Sequence, residues 1–290
     1  MAKILISILQ LGNIDYPTGL RLQEKLVALR KEGRTGDVVL LLEHTPVITL
    51  GRNAKSKNIV APPELLAQRG VEVHECDRGG DVTFHGPGQL VAYPIFDLRG
   101  FPSTSPNRST LGAIEYVRRL EEVLIRTCAD FSIPATRIPG LTGVWTNASA
   151  GPVRNAFRVG TGVHARPAEL KTQRLSPTES KIAALGVHIS RGVTSHGIAL
   201  NVNTDLSFFN LIVPCGITSK PVTSMQQDLD RAIPMQDVAH ALSRNFGTVF
   251  GSQILWLDSL DALLGTNLGV PMKAPKNLRR IHSEDDPAWA

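Results

Sequence analysis

A glycine-rich segment at residues 78–89, Arg-Gly-Gly-Asp-Val-Thr-Phe-His-Gly-Pro-Gly-Gln, has the composition of a ligand-binding loop. Glycines let the backbone turn tightly and approach a ligand closely, because no Cβ stands in the way. Arg78 and His85 add a fixed positive charge and a ring that can exchange protons. A plain glycine-rich hairpin is the alternative, but polar groups spaced among the glycines favour the wall of a binding pocket.

Two further residues could do covalent chemistry. Lys181 opens an otherwise apolar strand, and Cys215 lies between a proline and a glycine in a predicted turn. A thiolate is the one strong nucleophile that side chains offer at neutral pH without a metal, and a neighbouring lysine can accept its proton. The alternatives are an edge lysine whose ammonium reaches water and a small buried cysteine. Together they are suited to acyl transfer between thioesters.

The remaining candidates are histidines and cysteines whose roles the sequence leaves open. His85 and His196 could each act as a base, an orienting donor or a structural turn residue, whereas His44 precedes a Thr-Pro turn and is interpreted as structural. Cys76 could face the pocket, but its strand context favours packing. Cys128 lies on the apolar face of a predicted helix and is interpreted as core. The chain has neither a phosphate-binding loop of the Walker type nor metal-ligand spacing, so we expect no cofactor and no metal.

Composition limits the partners. The 290 residues are 42% hydrophobic and 20% charged, which is ordinary for a soluble globular protein, and no run of eighteen apolar residues predicts a membrane span. Three widely spaced cysteines argue against a disulfide framework and for a reducing compartment. A net charge of +5 is compatible with an acidic protein partner but is too diffuse to indicate nucleic acid.

Periodicity and turn signals predict strands interleaved with helices, and therefore one α+β domain over residues 1–264. The predicted strands are Lys3 to Leu9, Asp37 to Glu43, Val47 to Leu50, Val71 to Glu75, Leu90 to Asp97, Thr142 to Trp145, Lys181 to Ile189 and Ser195 to Val202. The predicted helices run from Asp15 to Gly33, Pro62 to Gly70, Ser109 to Asp130 and over residues 234–248, the third with Ile114, Val117, Leu120, Leu124 and Cys128 on its buried face.

Two segments lack periodicity. Residues 146–180 are rich in small, polar and basic residues, which predicts a mobile insertion directly before Lys181. The composition of residues 265–290 predicts a poorly ordered tail.

Taken together, the glycine-rich segment, Leu90-Val91-Ala92-Tyr93-Pro94, Lys181 to Gly186, Gly192 to Val202 and Pro214-Cys215-Gly216 resemble the octanoyltransferase, or lipoate–protein ligase B, family. The resemblance covers about Lys3 to Leu260. It implies the mixed sheet packed with helices that biotin and lipoate protein ligases share. It also implies an acyltransfer dyad of Cys215 and Lys181, with octanoyl–acyl carrier protein as donor. The implied acceptors are lipoyl domains of 2-oxoacid dehydrogenase complexes and the glycine cleavage H protein.

By the same resemblance, three stretches line the acyl site, and their backbone N–H groups are candidates for an oxyanion hole. The residues are Arg78, Gly79, Gly80, Asp81, Val82, Thr83, Phe84, His85, Ala184, Leu185, Gly186, Gly197, Ile198 and Ala199. The family usually has Gln, Tyr and an aromatic residue where this chain has Asp81, Phe84 and Ser195, and the changes at Phe84 and Ser195 put the preferred acyl chain length in doubt. As a departure from the family pattern, the insertion slightly favours a eukaryotic and hence mitochondrial member, whereas a bacterial member would be cytoplasmic.

The sequence also leaves two other functions open. An ATP-dependent lipoate or biotin ligase of the same superfamily would activate a free acid and would not need Cys215. A non-catalytic relative would bind lipoyl domains or carrier protein without forming an acyl-enzyme, and the insertion and the pocket substitutions are the features in its favour.

Overall fold

The computed structural model describes residues 4–147, 179–214 and 220–263. Within these ranges the chain forms eleven strands and five α-helices. The strands are β1 (Leu5–Ile14), β2 (Asp37–His44), β3 (Val47–Leu50), β4 (Glu72–Glu75), β5 (Val82–His85), β6 (Gln89–Ile95), β7 (Ala135–Ile138), β8 (Leu141–Asn147), β9 (Glu179–Ser190), β10 (Val193–Asn201) and β11 (Gln253–Leu257). The helices are α1 (Tyr16–Lys31), α2 (Pro63–Gln68), α3 (Ala113–Asp130), α4 (Met225–Leu229) and α5 (Met235–Phe250).

The strands form two sheets. The large sheet has eight strands in the order β11-β1-β2-β6-β10-β9-β8-β7, and the small sheet has the order β4-β3-β5. In the large sheet β1 runs parallel to β11 and β2, and the other neighbours are antiparallel. The predicted α+β class with a mixed sheet packed by helices is therefore confirmed.

Helices cover both faces of the large sheet, which explains why its central strands are continuous apolar runs. On β2, Val39 and Leu41 point into a core shared with α3 and α5, whereas Leu40 and Leu42 point into a second core shared with α1. A third and smaller core lies between the small sheet and the 3₁₀ turn Leu206–Leu211. No described helix is long and apolar enough to cross a membrane.

Most predicted elements occur within a few residues of their predicted bounds. The first helix does so because Asp15 caps it, its side chain accepting a hydrogen bond from the amide of Thr18. The sequence did not predict β5, β7, β11 or α4, which are all five residues or shorter. Short strands carry too few residues for an alternating pattern to stand out.

The third predicted helix needs two corrections. Gly112 caps it, so α3 starts four residues later than predicted, and Ile114 is 81% exposed rather than buried. Ile114 lies about 120° around the helix from Leu120, outside the stripe that packs on the sheet. The buried face instead includes Tyr116, and Cys128 is fully buried as predicted.

The insertion also begins later and ends earlier than predicted. Thr146 pairs with Ser180 and Asn147 pairs with Glu179, because β8 and β9 continue as an antiparallel ladder. Residues 148–178 and the predicted tail at 265–290 lie outside the described residues.

Candidate active site

Strand β5 brings the glycine-rich segment against the large sheet and divides its side chains between two environments. Because side chains alternate along a strand, Thr83 and His85 face a cavity, whereas Val82 and Phe84 face the third core. The Phe84 ring stacks on Phe208 with the ring centroids 4.7 Å apart. We therefore leave Val82 and Phe84 out of the proposed pocket, and Phe84 gives no ground for a changed acyl chain length.

The cavity lies between the glycine-rich segment and strands β6, β9 and β10. Gly79 does not line it but joins the two walls, since its amide donates to the carbonyl of Val187 at 3.0 Å. The lining residues are Tyr16, Arg78, Gly80, Asp81, Thr83, His85, Val91, Tyr93, Ala184, Leu185, Gly186, His196, Gly197, Ile198 and Ala199.

Eleven of the residues that the sequence placed at the acyl site line this cavity, and four further residues were missed as pocket residues. Tyr16 and Val91 look like core residues in the sequence, because nothing local shows that α1 and β6 meet at the pocket. Tyr93 and His196 lie within motifs that were singled out, so their polar side chains were an available signal.

Arg78 is a buried cation that the backbone holds in place. Its Nη2 donates to the carbonyls of Thr49 and Asp81, each at 2.7 Å, and its Nε donates to Thr49 Oγ1. A Cβ on Gly186 would lie 3.0 Å from Arg78 Cδ and 2.8 Å from the carbonyl of Gly79, so a glycine is needed there. Among the described residues no carboxylate forms an ion pair with Arg78. The cavity wall therefore carries a fixed positive charge.

Burial keeps two neighbouring histidines neutral, His85 at the cavity wall and His44 behind it. Burial lowers the pKa of His85 to about 3, and the neighbouring His44 adds to that effect. Burial likewise lowers the pKa of His44 to about 4. The Nδ1 of His85 lies 2.7 Å from Gln89 Oε1, and the Nε2 of His44 lies 2.7 Å from the Tyr93 hydroxyl. His85 therefore serves as a neutral hydrogen-bonding group at neutral pH.

His196 has a different environment. Its Nε2 lies 2.7 Å from Asp77 Oδ1, and its backbone adopts the left-handed conformation with φ of 55°. Burial lowers the pKa of His196, although the hydrogen bond to Asp77 opposes that change. The amide of His196 donates to Gln23 Oε1 of α1, which supports the strained backbone.

Lys181 lies at a second cavity. Thr83, Ala184 and Ala199 line both cavities and form a shared wall of small side chains. The backbone of Lys181 is bonded on both sides, its amide to the carbonyl of Pro221 and its carbonyl to the amide of Thr223. The second cavity is lined by Thr83, Gln89, Lys181, Ala183, Ala184, Ala199, Asn201, Phe209, Pro214 and Val222.

Cys215 lies outside the described residues, but the chain on both sides of it converges on Lys181. Pro214 lines the cavity of Lys181, and Val222 forms a β-bridge with Lys181.

A buried chain of amides joins the two cavities. Gln89 Nε2 donates to Asn201 Oδ1 at 2.9 Å, and Asn201 Nδ2 donates to the carbonyl of Thr223 at 3.0 Å. Gln89 also contacts His85, and Thr223 contacts Lys181 through the backbone. The position of His85 is therefore coupled through hydrogen bonds to the strand that carries Lys181.

Comparison with known proteins shows the family. A family model described as the lipoyl protein ligase A/B catalytic domain matches residues 15–247. The octanoyltransferase of Koribacter versatilis is 56% identical over 97% of this chain and 98% of its own length. That of Acidobacterium capsulatum is 52% identical over 90% of this chain and 96% of its own length.

Solved structures show the fold. A bipartite lipoate protein ligase from Thermoplasma acidophilum superposes with a TM-score of 0.61 at 14% identity, covering 99% of this chain and 96% of that one. A lipoate-protein ligase A bound with ATP gives 0.60 at 15% identity, covering 100% and 98%. The architecture is therefore that of the lipoate protein ligases.

The chain belongs to the lipoyl protein ligase A/B family, and the relatives reported above are octanoyltransferases. Its activity is octanoyl transfer in protein lipoylation. The predicted family, fold and enzyme class are confirmed.

Proposed function

We propose that octanoyl transfer in this protein proceeds through a thioester on Cys215, with Lys181 as its proton-transfer partner. The observation that carries this proposal is the shared wall of the two cavities. Thr83, Ala184 and Ala199 separate the acyl cavity from the one that Lys181 and Pro214 line. An acyl chain in the first cavity would thus place its carbonyl group next to the cavity that Lys181 lines.

In the first half-reaction the Cys215 thiolate attacks the thioester carbonyl of octanoyl–acyl carrier protein. A new C–S bond forms to Cys215, the C–S bond to the carrier thiol breaks, and the Lys181 ammonium protonates the departing thiolate. In the second half-reaction the amine of a target lysine attacks the acyl-enzyme. A C–N bond forms, the C–S bond to Cys215 breaks to restore its thiolate, and neutral Lys181 takes the one proton that the attacking amine loses.

The cavity supplies orientation and polarity. Val91, Ala184 and Ala199 present apolar surface to the octanoyl chain. Arg78 and neutral His85 provide polar contacts at the cavity wall. Backbone N–H groups of β9 around Ala184 and Gly186 remain our candidates for an oxyanion hole. We assign the remaining lining glycines, Gly80 and Gly197, to close approach of the ligand.

The partners follow from the reaction. We propose octanoyl–acyl carrier protein as the donor, and lipoyl domains of 2-oxoacid dehydrogenase complexes and the glycine cleavage H protein as acceptors. The relatives reported above are bacterial, so we place the reaction in the cytoplasm. Those relatives give no support to the mitochondrial location that the insertion favoured. The ATP-dependent ligase and the non-catalytic binding module are no longer favoured, because the relatives are octanoyltransferases.

The test is the intact-protein mass after brief incubation with octanoyl–acyl carrier protein in the absence of ATP. We expect one added octanoyl group, removable by hydroxylamine, on the wild-type protein and on Cys76→Ala, but none on Cys215→Ala. Lys181→Ala should form the adduct roughly 10²- to 10⁴-fold more slowly. An adduct on Cys215→Ala, or a carrier protein that stays loaded in the presence of the wild-type enzyme, would contradict the mechanism.

A further inference from the structure

Strand β8 lies beside Lys181 along the full length of its side chain. Trp145 is directly opposite Lys181 in the β8–β9 ladder, and the Lys181 Nζ lies 5.2 Å from the centre of the Trp145 ring. An ammonium over the face of a tryptophan is attracted by the negative potential of that face, most strongly where water is excluded. Trp145 is 1% exposed and Lys181 is 8% exposed.

The stem of Lys181 runs over a glycine of the same strand. A Cβ on Gly143 would lie 2.6 Å from Lys181 Cε, closer than real Cβ contacts allow, and 3.3 Å from its Nζ, which is a tight contact. Gly143 also has φ of 136°, where a side chain is strained. The missing side chain at Gly143 therefore leaves the space that the lysine stem occupies.

The neighbouring charges are paired with one another. Lys220 also contacts the Trp145 ring, at 5.8 Å, but it is hydrogen-bonded to Glu179. On the other side, Glu121 accepts from the amide of Gly143 and is fully buried. Its carboxylate is balanced by two arginines of α3 and β7, Arg118 and Arg137.

We propose that Gly143 and Trp145 are positioning residues for the proton-transfer lysine: Gly143 makes room for its stem and the Trp145 ring holds its ammonium end as a cation. This inference rests on the proposed role of Lys181 in catalysis. A lysine side chain loses conformational entropy when it is fixed in one rotamer. If Gly143 and Trp145 already hold Lys181 in place, less of that entropy is lost at the moment of reaction. A lysine held as a cation also favours the thiolate form of a neighbouring cysteine.

The test measures the rate of Cys215 alkylation by iodoacetamide against pH, in a Cys76→Ala background and with the modified peptide identified by mass. We expect Trp145→Leu to move the midpoint upward by about half to one pH unit, as loss of a desolvated cation–π contact implies. Trp145→Phe should fall between the two, because phenylalanine keeps a weaker aromatic face. Phe101→Leu, a change at another fully buried aromatic, should lower thermal stability and leave the midpoint unchanged.

Substitutions at Gly143 and Gly140 test whether the Lys181 stem needs the space beside Gly143. Gly140 has φ of 80° and nothing within 4 Å of its Cβ position, so Gly140→Ala strains the same β7–β8 hairpin without touching Lys181. We expect Gly143→Ala to slow formation of the acyl-enzyme at least tenfold more than Gly140→Ala does. If Trp145→Leu fails to fold, the Trp145→Phe midpoint and this pair decide the question.

The catalytic dyad and the positioning of its lysine can be tested separately. If Lys181→Ala keeps the wild-type alkylation profile and acylation rate, the dyad itself is wrong. If Lys181→Ala shifts both, the dyad stands. In that case a wild-type midpoint in Trp145→Leu, or equal effects of Gly143→Ala and Gly140→Ala, would overturn the positioning role of Gly143 and Trp145.

Discussion

The histidines beside the acyl cavity show how burial selects a chemical role for a residue. The sequence left His85 open as a base, an orienting donor or a structural residue. Full burial and contact with His44 lower the pKa of His85 to about 3, so it is neutral throughout the physiological range. A base with so low a pKa would be weak, and we therefore assign His85 to hydrogen bonding rather than to proton abstraction.

The same burial predicts a loss of stability in mild acid. In the unfolded chain a histidine has a pKa near 6.5, whereas folded His44 and His85 stay neutral down to about pH 4 and 3. The unfolded state therefore binds more protons as the pH falls below 6.5, and the stability present above that pH is lost. Between pH 7.5 and 5.5 we expect a loss of about 1.4 kcal/mol per histidine in the free energy of unfolding.

Urea unfolding at the two pH values checks this prediction. His85→Asn, whose amide can keep the hydrogen bond to Gln89, should reduce the pH difference by roughly one histidine's share, about 1.4 kcal/mol. His240→Asn, a change at an exposed histidine of α5, serves as the control and should leave the difference unchanged. Equal stability of the wild-type protein at pH 7.5 and 5.5 would contradict the assignment of neutral buried rings.

At the scale of elements, the site depends on how closely two strands approach. Gly197 of β10 packs against β6, where an added Cβ would overlap the carbonyl of Ala92 and lie 2.6 Å from Pro94 Cδ. Gly197 also lines the acyl cavity, and it pairs with Gly186 of β9. Two glycines side by side thus form the floor on which the acyl chain would lie.

We expect Gly197→Ala to lower the free energy of unfolding by roughly 1–3 kcal/mol and to slow octanoyl transfer, since the strands cannot separate without deforming the cavity. Gly100→Ala is the matched control, because nothing lies within 4 Å of its Cβ position and its φ is not positive. Urea unfolding and transfer rates measured on both variants decide the question, and two variants of equal stability and rate would refute the close-packing argument.

At the scale of the whole molecule, two helical layers and a small sheet enclose one large sheet. The second core, between α1 and the large sheet, is completed by Leu260 and Leu263, which follow β11. Both side chains are buried, so the described core extends to the last residue of the third described range.

Truncation tests where the folding unit ends. Deletion of residues 266–290 should change the melting temperature by no more than a few degrees and leave octanoyl transfer intact, because the buried residues of the second core remain. Deletion from residue 251 onward removes β11, Leu260 and Leu263, and we expect it to lower the melting temperature by well over 10 °C or to prevent folding. Loss of activity in the shorter deletion would show that residues 266–290 contribute to the site.

The sequence by itself was enough for the α+β class and the family, and it singled out eleven of the residues that line the first cavity. Glycines at fixed spacing and long apolar runs are local signals, and they record what the backbone and the core require at each position. The segment from Arg78 to His85 could therefore be recognised before its surroundings were known.

Only the tertiary structure decided which side chains of that segment face the cavity. Phe84 and His85 are adjacent in sequence, yet the register of β5 sends one into a core and the other to the pocket. Tyr16 lines the first cavity and Trp145 contacts Lys181 because α1 and β8 pack where they do. Such roles depend on contacts between residues far apart in the chain, and a local pattern carries no information about what will lie opposite it.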